Sequence, residues 1–90
     1  MLYTIDFEYK GGTYLAQVEA PGLRDVLKRW LQQTPDADLV RWQAERSVIA
    51  EAFTRETPMA IQGLKGVWCV SCTISDSFAL ANIIATDERA

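Results

Sequence analysis

The stretch GVWCVSCTIS, residues 66–75, holds the chain's two cysteines in the order Trp-Cys-x-x-Cys. Two folds compete for it. A thiol redox centre would set Cys69 at a helix N-terminus, where the dipole lowers a thiol pKa. A strand would send Cys69 and Cys72 to opposite faces, with Cα atoms about 10 Å apart. A disulfide needs about 4.4–6.8 Å. Thr73 and Ile74 follow, and β-branched residues favour a strand. Only eighteen residues remain after Cys72, too few to complete a thioredoxin-like fold, and no proline follows Pro58 to supply its cis-proline. The stretch therefore reads as a strand. Trp68, Val70, Cys72 and Ile74 form one face; Cys69, Ser71 and Thr73 form the other.

The same inventory bounds the chemistry. Structural zinc takes four ligands, usually Cys and His, and this chain has two cysteines and no histidine. Without histidine, the commonest general base and the Ser or Cys triads are missing. Gly11-Gly12 is explained as a turn, so no phosphate loop is read there. No residue is assigned to catalysis, to a metal or to a disulfide, no cofactor is implied, and the binding residues are left unassigned.

Downstream of the Cys strand, Ser75-Asp76-Ser77 is turn chemistry, and FALANIIAT (78–86) reads as the second arm of a hairpin. A helix capped by Asp76 and presenting Leu80, Ile83 and Ile84 is the alternative. Both alternating sets of this segment are mostly apolar: Phe78, Leu80 and Ile84, then Ala79, Ala81, Ile83 and Ala85. A strand apolar on both faces is covered on both. Helices can cover one. The other meets either the loop from Thr57 to Leu64, with Met59 and Ile61, or a second chain.

Upstream, Tyr3, Ile5, Phe7 and Tyr9 alternate with Thr4, Asp6, Glu8 and Lys10. With Gly11-Gly12 as the turn, Tyr9 faces Tyr14, Phe7 faces Ala16, and Ile5 faces Val18. The other face carries Asp6, Glu8, Gln17 and Glu19, with Leu15 as its apolar exception. Pro21 suits a first helical position. Leu23, Val26, Leu27, Trp30 and Leu31 then form one helical stripe, with Arg24, Lys28 and Arg29 on the solvated side. Pro35 ends that helix. Asp36 or Asp38 can cap a second, from about Leu39 to Phe53, whose stripe Leu39, Trp42, Ile49 and Phe53 is interrupted by Arg46. Arg46 either snorkels from the stripe edge or holds an anion. The loop "TRETPMAIQGLKG" (54–66) connects to the Cys strand.

Ninety residues make a single domain, 1–90, and 49% hydrophobic with 23% charged residues is an ordinary globular balance. Nine basic against twelve acidic residues argue against non-specific nucleic-acid binding. No apolar run nears the roughly 18 residues that span a bilayer, and the alternating start MLYTIDFEYK is no signal peptide. The cytoplasm is the expected compartment. The predicted fold is α+β, ββααββ, with a four-stranded, mostly antiparallel sheet and two helices packed on one face. Strand order stays open, because the hairpins can join by either edge.

The segments FEYKGGTYLAQVEA (7–20), GLKGVWCVSC (63–72) and LANIIATDE (80–88) resemble small bacterial proteins of this ββααββ layout, some of them carried as integron gene cassettes. The resemblance implies a fold and a bacterial cytoplasmic setting. It implies no activity and transfers no functional residue.

The expected function is a small non-enzymatic interaction or adaptor module that acts through a sheet face or edge as a homodimer. The alternative is a small-molecule binder or enzyme, with its site between sheet and helices or at a dimer interface. Its chemical groups would be carboxylates and the tyrosines Tyr3, Tyr9 and Tyr14.

Overall fold

Two hairpins with left-handed turns build the sheet of the computed structural model, which describes residues 1–86. Asp87 and Glu88 of the third quoted segment lie outside it. Strand β1 (Leu2–Tyr9) turns into β2 (Gly12–Glu19) through Lys10 and Gly11, at φ 51° and 79°. Two positive φ angles in a two-residue loop suit the twist of a hairpin.

The turn is therefore Lys10-Gly11 rather than Gly11-Gly12. The pairs become Tyr9 with Gly12, Phe7 with Tyr14, and Ile5 with Ala16. The slip is two residues, so every side chain keeps its face. The Tyr14 side chain lies over Gly12 inside the strand: a Cβ there would come within 2.5 Å of the Tyr14 hydroxyl oxygen, so the tyrosine tip would have to shift. Lys10 tolerates its left-handed backbone while its Nζ donates to the Trp42 carbonyl at 3.3 Å and lies 5.3 Å from the Tyr9 ring centroid.

Helix α1 (Leu23–Gln33) starts two residues later than Pro21, with Gly22 as its N-cap. The expected single second helix is two. Helix α2 (Asp36–Trp42) stops at Gln43, whose φ of 54° is left-handed, and α3 (Arg46–Thr54) starts after Glu45. Neither Asp36 nor Asp38 caps α2; Pro35 holds that position, with no side-chain cap bond. The break has a visible consequence. A continuous helix would have carried Arg46 in the apolar stripe beside Trp42. Instead its guanidinium turns to the end of α1, donating to the carbonyls of Leu31 and of Thr34, the latter at 2.9 Å, and to Asp36 Oδ1 at 2.9 Å. It thus adds charged donors at the C-terminal end of α1, where the Leu31 carbonyl also accepts the Thr34 N–H at 3.3 Å.

The connecting loop contributes a fifth strand, β3 (Met59–Ala60), which pairs with β4 (Val67–Ile74) through Met59–Cys69 and Ala60–Trp68. Strand β4 returns as β5 (Ser77–Ala85) through Ser75 and Asp76, at φ 48° and 67°. Ser77 already belongs to the strand. The hairpin is as expected and the helical alternative for 78–84 is excluded. The sheet is antiparallel throughout, in the order β2-β1-β5-β4-β3, so the hairpins join through β1 and β5. Among the described residues the architecture is α+β with five strands and three helices, against the four and two expected.

One face of the sheet holds the core. Tyr3, Ile5, Phe7, Tyr9, Val70, Ile74 and Ile83 are buried there with Val26 and Trp30 of α1, Trp42 of α2 and Phe53 of α3. Phe7 lies at the centre, its ring 4.9 Å from both Trp30 and Trp42, centroid to centroid. Ala79 and Ala81, fully buried on β5, supply small side chains on the same face. Aromatic pairs of this kind add about 0.5–1.5 kcal/mol each beyond area burial.

Candidate functional site

The opposite face carries no helix. Its rows follow from the register. Leu15, Asp6, Asn82, Cys69 and Met59 run across all five strands. Gln17, Thr4, Ile84 and Val67 form the row on one side, and Thr13, Glu8, Leu80 and Ser71 the row on the other. Phe78 and Thr73 follow at the turn end.

Four apolar members of these rows are open to solvent, while Leu80 and Val67 are half-buried. Leu15 is 72% exposed, Met59 70%, Phe78 66% and Ile84 37%. The loop from Thr57 to Leu64 does not fold back over them. Its strand β3 extends the same sheet, and Met59 joins the open row instead of covering it. A hollow of about 250 Å³ lies beside Phe78, bounded by Leu80, Glu8, Gly11 and Thr13.

The centre of the face is polar. Asn82 Nδ2 donates to Asp6 Oδ2 at 3.3 Å, and Gln17 Nε2 donates to Thr4 Oγ1 at 3.1 Å. Asp6 Oδ1 is buried and meets no hydrogen-bond donor among the described residues. Its flanks explain the burial: Leu15 and Asn82 stand on either side of it. These rows contain the carboxylates Asp6 and Glu8 and no Lys or Arg.

The other candidate groups are drawn into the fold. Tyr3 and Tyr9 are buried, and the Tyr9 hydroxyl donates to the Ile74 carbonyl at 2.9 Å. Tyr14 packs its ring against Trp42, 5.1 Å between centroids. Tyr9 and Glu8 both line the hollow beside Phe78, but the Tyr9 hydroxyl is turned to the Ile74 carbonyl on the core side of the sheet. Arg46 neither snorkels from a continuous stripe nor stands free for an outside anion: it bonds the Leu31 and Thr34 carbonyls and Asp36. Arg29 is exposed, whereas Arg24 and Lys28 border a groove between α1 and α3.

Cys69 and Cys72 are both free, three positions apart on β4 and so on opposite faces. Cys72 is half-buried, and burial, with the negative charge of Glu56 added, pushes its thiol up to about 11. A redox thiol needs the opposite shift. Among the described residues no group of three or more His, Cys, Asp or Glu side chains could hold a metal ion. No helix among them is long and apolar enough to cross a membrane.

Alternation in the sequence singled out Leu15 as an apolar exception and marked 78–85 as apolar on both sides. It did not reveal Met59 as a member of the same row, nor the Asp6–Asn82 contact. Both need the strand order. Comparison with protein-family models, curated proteins and solved structures finds no match for the chain.

Proposed function

We propose that the protein is a non-enzymatic interaction module that pairs with a second copy of itself through the helix-free face of the sheet. The observation that supports this reading is the exposure of Leu15, Met59, Phe78 and Ile84 on one uncovered face. Large apolar patches of this kind mark interaction sites. The size is adequate. Four strands of eight or nine residues span roughly 20 by 26 Å, on the order of 500 Å² in projection. The accessible area of a corrugated face is larger and approaches the about 800 Å² per partner of a standard interface.

The polar centre also fits a two-fold partner. A two-fold axis along the strands, between β1 and β5, stacks the sheets in aligned fashion, about 10 Å apart. It places each Asp6 opposite Asn82 of the second copy. The free amide hydrogen of that Asn82 then meets the Asp6 Oδ1 that lacks a donor among the described residues. The same operation seats each Phe78 towards the hollow beside the other copy's hairpin tip. In this reading the chain is a small bacterial α+β protein whose open sheet face is covered by its own duplicate.

Light scattering and sedimentation across about 1–200 µM test the proposal, a range that brackets dimer dissociation constants of ordinary strength. A mass of twice the chain, falling to one chain on dilution, is expected. A single-chain mass at the highest concentration refutes the dimer.

A further inference from the structure

The helix side of the molecule carries a second, independent feature. Helix α3 begins where α1 ends, tied there by Arg46, and a groove of about 550 Å³ runs between the two helices. Its floor is apolar: Leu23 and Leu27 from α1, Ala50 and Phe53 from α3. The cause lies in the helix stripe. Val26 and Trp30 are buried in the core, which leaves Leu23 and Leu27 on the flank of α1, only half-buried. Ala50 on the facing helix is too small to close the gap. The volume falls within the range of about 300–1,000 Å³ that small-molecule sites occupy.

The rim has a sign. Arg24 and Lys28, one helical turn apart, are exposed along one wall and form no ion pair among the described residues. Arg46 adds a third cation at the far end, already held by Asp36 and two carbonyls. Among the described residues Glu56 is the one acid that lines the groove. In a chain of net charge -3, three cations around an apolar trough stand against the overall balance.

The geometry points to a binding site for a single-chain amphiphile with an anionic head, a fatty carboxylate. Its alkyl chain lies on Leu23, Leu27, Ala50 and Phe53, and its carboxylate meets Arg24 and Lys28 at the rim. Charge complementarity selects the head, and the narrow apolar floor selects the chain. This site is separate from the sheet face and stands or falls without the dimer.

The test is titration of the intact protein with octanoate, decanoate and dodecanoate below micelle formation, followed by amide NMR shifts. Affinity should rise about fourfold per added methylene, the factor that apolar transfer implies. Shifts should concentrate at residues 23–31 and 50–58. Arg24→Glu with Lys28→Glu should weaken dodecanoate by roughly tenfold or more. The same double variant should leave a dodecyl chain with a neutral sugar head unchanged. Ala50→Phe should block both ligands by filling the floor. Affinity independent of chain length overturns the assignment, as do shifts centred on Leu15, Phe78 and Ile84, or charge reversal without effect. An acidic amphipathic peptide run in parallel, if it binds this groove more tightly than any carboxylate, overturns it in favour of a helix partner.

Discussion

Replacing Phe78 with alanine separates the dimer from the fold. Phe78 stands 66% exposed at the turn end of β5, so its ring contributes little to the packing of its own chain. In a two-fold dimer each ring passes from water to the partner's surface. Roughly 130 Å² per copy is then removed from water, about 3 kcal/mol at about 25 cal/mol per Å². The symmetry doubles this, and the position of Phe78 near the rim, where burial is incomplete, halves it again. The expected loss is about 3 kcal/mol of association energy, a dissociation constant raised on the order of 100-fold. Sedimentation velocity over a concentration series measures it. Urea denaturation of the dilute protein supplies the control: monomer stability should move by no more than about 0.5 kcal/mol, as for an exposed substitution. A wild-type dimer whose dissociation constant changes less than about threefold in Phe78→Ala would refute the reasoning, because the ring would then lie outside the interface.

Three further outcomes follow from named contacts. Asn82→Ala removes the donor that faces Asp6 and leaves a carboxylate desolvated in the interface; dimerisation should weaken about tenfold or more by the same sedimentation series, and restoring a donor with Asn82→Gln should recover part of it. Arg46→Ala strips the charged bonds from the Leu31 and Thr34 carbonyls at the end of α1. It should lower unfolding stability by about 1.5–3 kcal/mol in urea, while a mere surface cation would cost almost nothing. Cys72 carries a thiol pKa pushed up to about 11 by burial and Glu56. The folded state therefore holds this proton more tightly than the unfolded state, and the associated stability is present below the unfolded thiol's pKa and is lost as pH rises through about 11. At pH 8 alkylation of Cys72 should be slow and should accelerate with pH; fast reaction at pH 7, or an intact mass showing an intramolecular disulfide after mild oxidant, would contradict both the burial and the strand geometry.

Much of the fold was legible because its strands alternate. Tyr3 to Tyr9 announced which residues face the core, and that assignment survived even though the turn lies one residue earlier than Gly11-Gly12 implies. The turn falls at Lys10 and Gly11, whose φ angles are both positive, and Gly12 pairs with Tyr9 inside the strands. The helix from Leu39 to Phe53 was also misread. Period alone sees Trp42, Ile49 and Phe53 as one stripe and treats Arg46 as a blemish. The chain instead breaks at Gln43 and uses Arg46 to finish α1. The apolar excess of residues 78–85 was visible. Which elements would fail to cover it was not, since the loop containing Met59 could have folded back as easily as it could have joined the sheet edge.

What the sequence determined by itself is local: two hairpins, an amphipathic first helix, the sidedness of each strand, and the lack of any histidine. These follow from periods of 2 and 3.6 and from turn residues, which act over a few positions. Only the tertiary structure decided that β1 pairs with β5, bringing Thr4 opposite Ile84 and Asp6 beside Asn82. That pairing joins residues almost a chain length apart, which no nearby pattern in the sequence specifies. The open face and its central carboxylate therefore exist only once both hairpins have met.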